Sequence, residues 1–352
     1  MKRQARHGWT FFYRPGKAVY SELEWIVMRL ILAWVVFSSF QAAGYDALNW
    51  SGSVGRGFHG VSTPRGIAQF VDVTWISHPA NAPMIAGTVA VSLALLVLGT
   101  LPLLSSLVLF VLHVYVGTLE NSQGHNVYHT SQIVCFGLLG IILGSVYDLA
   151  QTVRRHGIRG WLRMSTLRWQ WLPHLTRHPA ALVRRGANHL EQTLEQGRSR
   201  TIFTVQQLIA TAYVVSGISK MWITSGGWMS EVKNIGIQFV KNQRNEYYET
   251  LAPPPTVPWA VDFALHHPTV ASGFFSIGLW LEILCFAALL NRACLAIFGI
   301  ALILMHHFIA QFMALYFAYN QWLLLAFFVN VPFWLIRGVR TRGPAASRPS
   351  QP

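Results

Sequence analysis

Lys220 stands in the run Tyr213-Val214-Val215-Ser216-Gly217-Ile218-Ser219-Lys220-Met221-Trp222, an amine inside an otherwise apolar stretch. Removing a lysine from water disfavours its charged form, and a neutral amine can act as a general base. The same side chain near the outer end of a membrane span could instead extend its stem and keep its charge at the interface. Spacing leaves both readings open. Ser216 and Gly217, one turn earlier, would permit close approach by a neighbouring helix or a flat ligand.

Other polar side chains interrupt apolar sequence in the same way. His125, Asn126, Tyr128 and His129 open one apolar run, and His113 lies in the run before it. His125 and His129 are four apart and would share a helix face, a spacing that can bind a metal. Beyond this pair the histidine clusters within the apolar runs come down to His306 and His307, too few for a membrane di-iron centre, so no metal is expected and hydrogen bonding near the external face is favoured. His306 and His307 precede Gln311 by five and four residues. Adjacent helical residues point about 100° apart, so one of the two histidines should face a site. Glu282 lies in the middle of its run, where a carboxylate must be protonated or paired. Arg292 is three turns away, too far for a pair within one helix, which makes Arg29 of the first run a candidate partner.

The elements that must position these groups follow from composition. The 352 residues are 53% hydrophobic and 11% charged, whereas a soluble domain carries about 25% charged residues. A soluble enzyme is excluded on that ground, and much of the surface must face lipid. Apolar runs at about 25–44, 83–101, 102–119, 127–147, 203–224, 269–290, 293–315 and 319–336 are each long enough to cross a hydrocarbon core of about 30 Å. The fold expected is an all-α integral membrane protein of about eight transmembrane helices. The second and third should form a tight hairpin at Gly99–Pro102.

The net charge of +14 would suggest nucleic acid in a soluble chain. Here 20 of the 27 Lys and Arg residues fall in 1–17, 154–200, at Arg292 and from Arg337 onward. With eight spans all four segments share one side, which the positive-inside rule makes cytoplasmic, so no nucleic-acid partner is expected. The organisation reads as a basic cytoplasmic N-terminus over 1–24 and a membrane domain over 25–338. That domain has external loops at about 45–82 and 225–268 and a basic cytoplasmic loop at about 150–202, and a disordered cytoplasmic tail over 339–352 follows it. An amphipathic piece is expected around Ile67–Ile76. The first run lacks a small-residue cleavage pattern and is expected to stay as a helix. Cys135, Cys285 and Cys294 lie within spans at no metal-like spacing and read as buried thiols.

Together, the eight runs, the stretch His125 to Ser131, the Tyr213 to Trp222 run, Glu282 after aromatic sequence, and His306 to Phe312 resemble the membrane domain shared by vitamin K-dependent gamma-carboxylases and their bacterial relatives, the horizontally transferred transmembrane domain. The aromatic-x-x-small-Gly-x-x-Lys pattern ending at Lys220 is the most specific element, and the likeness covers roughly 20–338. It implies reduced naphthoquinone-like quinone and oxygen as cofactors, Lys220 as the base that deprotonates the quinol, and His306 as its catalytic helper. It also implies a quinone-binding surface from His125, Asn126, Tyr128, His129, Tyr213, Trp222, His307 and Gln311, with Arg29 and Glu282 as structural polar groups. The family order Asn-His is inverted here to His125-Asn126. The long region that binds protein substrate in the animal carboxylases has no counterpart after the last run, so processive protein carboxylation is not expected.

Two functions are therefore weighed. One is a membrane-embedded quinol-dependent oxygenase or epoxidase-like enzyme of a bacterial inner membrane, modifying a peptide or small molecule. The other is a non-catalytic component for maturing or exporting a secreted peptide, its polar groups holding helices together. On either reading the termini and the segment from Arg154 to Arg200 are cytoplasmic. Single cysteines placed there should resist an impermeant thiol reagent in sealed cells, and labelling of the Arg154–Arg200 segment from outside would overturn the eight-span reading.

Overall fold

The computed structural model describes residues 18–41, 65–122, 129–170, 181–234, 259–313 and 315–342, with 236, 237, 240, 241, 244, 247 and 251. All regular structure among them is helical. In chain order the helices are α1, Glu22–Ser39; α2, Ala82–Leu98; α3, Pro102–Ser122; α4, His129–Gln170; and α5, Ala181–Ile223. After two short helices, Trp228–Glu231 and Trp259–His266, come α6, Pro268–Ile283, and α7, Arg292–Met313. The last described helices are α8, Ala318–Leu324, and α9, Val331–Arg342. A 3-10 helix, Leu284–Leu290, prolongs α6, and a π-helical turn, Leu325–Val329, prolongs α8.

Among the described residues six helical stretches are long and apolar enough to cross a membrane: Pro102–Leu119, Gln132–Arg154, Glu195–Ile223, Pro268–Leu290, Arg292–Ala310 and Ala318–Arg337. The two further runs read from the sequence are helices of a different quality. α1 carries Glu22, Glu24 and Arg29 within its 18 residues, and α2 has 17 residues, about 25 Å at 1.5 Å per residue. Gly99 closes α2 in the left-handed conformation that glycine tolerates best, and Pro102 opens α3, which makes the expected hairpin.

The described part of the basic segment between the fourth and fifth apolar runs is helical. α4 continues to Gln170 beyond a break at Gly157, where φ is +69°, and α5 begins at Ala181, well before its apolar part. The expected amphipathic piece around Ile67–Ile76 is two 3-10 turns, Gly66–Gln69 and Thr74–Ser77, that bury Ile76 and leave Phe70 exposed.

α5 is the central helix. It packs along α4 on one side and along α6 with its 3-10 extension on the other, while α1 and α8 pack against each other and both against α4. The core between them is aliphatic, with Leu32, Val35, Leu138, Ile141, Ile202, Val205, Ile209 and Phe327 fully buried. In lipid the apolar effect does not draw helices together, so close backbone approach at small residues must do so. Gly140 and Gly144, four apart on α4, supply it: a Cβ at either would lie 2.6 Å from the Cα of Val205 or Thr201 respectively.

α1 starts with a capping box. The Ser21 hydroxyl accepts from the Glu24 amide while the Glu24 carboxylate accepts from the Ser21 amide. The same carboxylate accepts from Arg292 at 2.8 Å and from Asn330 Nδ2 at 2.6 Å. Asn330 ends the π-helical turn with φ +53°, a left-handed conformation uncommon outside glycine. Its amide, held by Glu24, stabilises a break inside the last apolar stretch and ties it to α1 and α7.

Leucine at Gly140 or Gly144 should lower the thermal unfolding midpoint in detergent by several degrees, since overpacking costs about 1–3 kcal/mol or more where backbone must move. Gly87→Leu, where an added Cβ meets nothing within 4 Å, should leave the midpoint nearly unchanged. Equal losses at all three positions would show that the α4–α5 approach is not set by these glycines.

Candidate functional site

The C-terminal half of α5 presents Tyr213, Gly217 and Lys220 along one face, at spacings of four and three residues. Gly217 faces α6 at very close range: an added Cβ would lie 2.7 Å from Ile283 Cγ1 and 3.2 Å from the Ile283 amide nitrogen. That approach brings Glu282 beneath Lys220. The Lys220 ammonium donates to both carboxylate oxygens of Glu282, at 2.7 and 2.6 Å, and the Ser216 hydroxyl donates to the same carboxylate. Glu282 is buried, whereas about a third of the Lys220 side chain is exposed. The Trp228 ring lies 5.9 Å from the amine, within the range of a cation–π contact.

A second polar group lies further in on the same face of α5. Seven residues separate Tyr213 from Lys220, roughly 10 Å along the helix axis. The Tyr213 hydroxyl is 2.8 Å from His306 Nε2 of α7 and accepts from Asn320 Nδ2 of α8 at 3.3 Å. The Phe317 ring packs against the His306 ring with centroids 4.8 Å apart. Tyr213, His306 and Asn320 are all buried, yet His306 Nδ1 and Asn320 Oδ1 have no hydrogen-bond partner among the described residues.

The structure thus draws together Lys220, Tyr213, Glu282 and His306 from the residues singled out in the sequence. Of the two adjacent histidines His306 is buried and His307 exposed, as their angular offset on α7 requires. Trp222 is 83% exposed and turns away from the pair. His129 is the first residue of α4 and Gln311 lies in the last turn of α7. His125, Asn126 and Tyr128 lie outside the described residues.

One expectation is corrected. Glu282 pairs with Lys220 and not with Arg29, because the Gly217 contact sets α6 against α5. Arg29 is buried beside Glu22, with the Leu96 carbonyl 3.5 Å from its Nη1 and the Trp25 ring 5.5 Å away. His113 is accounted for separately, its Nε2 2.9 Å from the Ser39 hydroxyl in the α1–α3 contact.

Two features escaped the sequence reading. Asn320 is one, and its signal is an amide at the start of the last apolar run. The other is the network at the opposite end of the bundle. There the Arg292 guanidinium lies between the Tyr20 and Phe333 rings, at 4.3 and 4.0 Å, and pairs with Glu24. Tyr20 reaches Gln206, which donates to the Phe327 carbonyl at 2.7 Å. Among the described residues no group of three or more His, Cys, Asp or Glu side chains could hold a metal.

A scan of protein-family models, a search of curated proteins and a search of solved structures each found no match to this chain. What the site can do therefore rests on its own geometry: a buried carboxylate holding an amine that is partly open, beside a phenol, an imidazole and a carboxamide.

Removing either member of the ion pair strands the other. Lys220→Met and Glu282→Leu should each cost about 1–3 kcal/mol, between the values for exposed and fully buried pairs. The double variant should recover most of that loss when thermal unfolding is compared in one detergent. Additive losses in the double variant would show that the pair contributes nothing as a pair.

Proposed function

We propose that the chain is a multi-pass protein of a bacterial inner membrane and a quinol-dependent oxygenase or epoxidase-like enzyme, acting on a peptide or small molecule. On this reading α1 and α2 also cross, giving eight spans with both termini cytoplasmic, in keeping with the distribution of Lys and Arg. The observation that carries the enzymatic reading is the Lys220–Glu282 contact. A proton-accepting carboxylate grips an amine through both oxygens, and the amine keeps an open side.

The residues present fit a reduced naphthoquinone-like group. His306 Nδ1 and Asn320 Oδ1 are buried polar atoms without partners among the described residues, and Phe317 and Trp228 place aromatic faces beside the two polar groups. When bound, such a group would supply the electrons for reaction with oxygen. The chain's own part is proton handling. Glu282 takes a proton from the Lys220 ammonium, which leaves a neutral amine, and that amine then accepts a proton from a substrate hydroxyl. Burial of Glu282 keeps the exchange out of bulk water, where the proton would be lost to solvent.

The non-catalytic reading draws on a different observation. The ion pairs Lys220–Glu282 and Arg292–Glu24 each join two helices, which is also how polar groups stabilise a membrane bundle with no chemistry.

Oxygen consumption by the purified protein with a reduced naphthoquinone distinguishes the two. Turnover should be lost in Lys220→Ala and partly restored by adding a small amine to the assay. Lys220→Arg should stay inactive because guanidinium remains protonated, and Glu282→Gln should be strongly slowed for want of a proton acceptor. An arginine variant turning over at nearly the wild-type rate would reject Lys220 as the base, and no turnover with any of several quinols would favour the non-catalytic reading.

A further inference from the structure

The hydrogen bonds around Tyr213 determine which nitrogen of His306 carries its proton. A phenol has one hydrogen to donate. The Asn320 carboxamide approaches the Tyr213 oxygen through Nδ2, which can only donate. The Tyr213 hydrogen is then left for its other neighbour, His306 Nε2, at 2.8 Å. Nε2 must accept it, so it carries no proton. The ring is buried and its hydrogen-bond partner is a phenol, so it is neutral and holds one proton. That proton is on Nδ1.

The opposite arrangement would rotate the Asn320 carboxamide so that Oδ1 accepts from Tyr213 and Nε2–H donates to it. That rotation would leave the Asn320 amide hydrogens buried without an acceptor. Buried N–H groups without partners are rarer than carbonyl oxygens in the same state, which favours the first arrangement. In that arrangement the atoms left over are complementary: a donor at His306 Nδ1 and an acceptor at Asn320 Oδ1, both buried and both without a partner among the described residues.

We propose that Asn320, acting through Tyr213, holds His306 as its neutral Nδ1–H tautomer, so that the imidazole serves as a hydrogen-bond donor to an acceptor oxygen of a bound molecule. Asn320 is then a positioning residue. The base of the site is Lys220, and His306 is the group that polarises a carbonyl or steadies an oxyanion. Unlike Lys220 and Glu282, this triad brings no formal charge into the membrane. The tautomer follows from the hydrogen bonds themselves. The role toward a substrate oxygen rests on the enzymatic reading above.

The tautomer can be observed directly in the full chain. Met305–His306 is the one Met–His junction in the sequence, so carbonyl-13C methionine with uniformly labelled histidine picks out His306 without any mutation. Nitrogen-15 NMR of the protein in lipid nanodiscs should then show a pyrrole-type, protonated Nδ1 and a pyridine-type Nε2. Asn320→Asp should reverse this pattern, because a carboxylate accepts the Tyr213 hydrogen and obliges Nε2–H to donate to the phenol oxygen. A protonated Nε2 in the wild-type protein overturns the proposal. So does an unchanged pattern in a folded Asn320→Asp variant; should that variant fail to fold, the wild-type spectrum alone decides. The spectrum needs no quinol, so the expected tautomer in a protein without turnover would sink the enzymatic reading and leave the role of Asn320 standing.

Discussion

A charge inside a membrane bundle has no water to fall back on, and the Lys220–Glu282 pair is where this constraint is met most sharply. Glu282 sits in the middle of an apolar stretch and is buried, so as an isolated carboxylate it would cost several kcal/mol. Lys220 offsets that cost through two short hydrogen bonds, and Ser216 adds a third. None of this works unless α5 and α6 nearly touch, and Gly217 is what lets them do so. One missing side chain thus decides whether a buried carboxylate has a partner. The same approach leaves part of the lysine exposed, so a bundle contact and a chemically accessible amine arise from one packing event.

The opposite end of the bundle meets the same constraint with more hydrogen bonds. Glu24 caps α1, pairs with Arg292 at the start of α7, and holds Asn330 where the last apolar stretch breaks. The left-handed backbone at Asn330 is one that asparagine adopts more readily than most side-chain-bearing residues, and the buried carboxylate fixes its amide there. Arg292 is stacked between two aromatic rings, which shield its guanidinium face while its edge stays engaged. The two ends differ in exposure. The Glu24 carboxylate is buried and engaged by Ser21, Arg292 and Asn330, whereas about a third of the Lys220 side chain stays exposed beside Glu282.

Much of this organisation is legible in the chain. The low charge content and the long apolar runs require a helical membrane protein, and the Gly99–Pro102 hairpin follows from residue types that stop and start helices. Lys220, Tyr213, Glu282 and His306 could be named because ionisable or hydroxyl groups within apolar runs stand out against their neighbours. The pairing of Glu282 was not legible, since Arg29 and Lys220 are equally plausible partners until the helices are placed. Asn320 and the Glu24–Arg292–Asn330 joint were not legible either. An asparagine or a helix-end glutamate is unremarkable in sequence, and its role comes from residues more than a hundred positions away.

The sequence by itself determined the solvent, the helical class and the short set of groups able to do chemistry, because transfer free energy depends on residue type and is written locally. The partners were decided by tertiary structure. Which cation reaches Glu282, which of two adjacent histidines is buried, and which of its nitrogens holds the proton all depend on the rotation of α5, α6, α7 and α8 about their axes. That rotation is set by close contacts at small residues such as Gly217, Gly140 and Gly144, between segments that share no local signal.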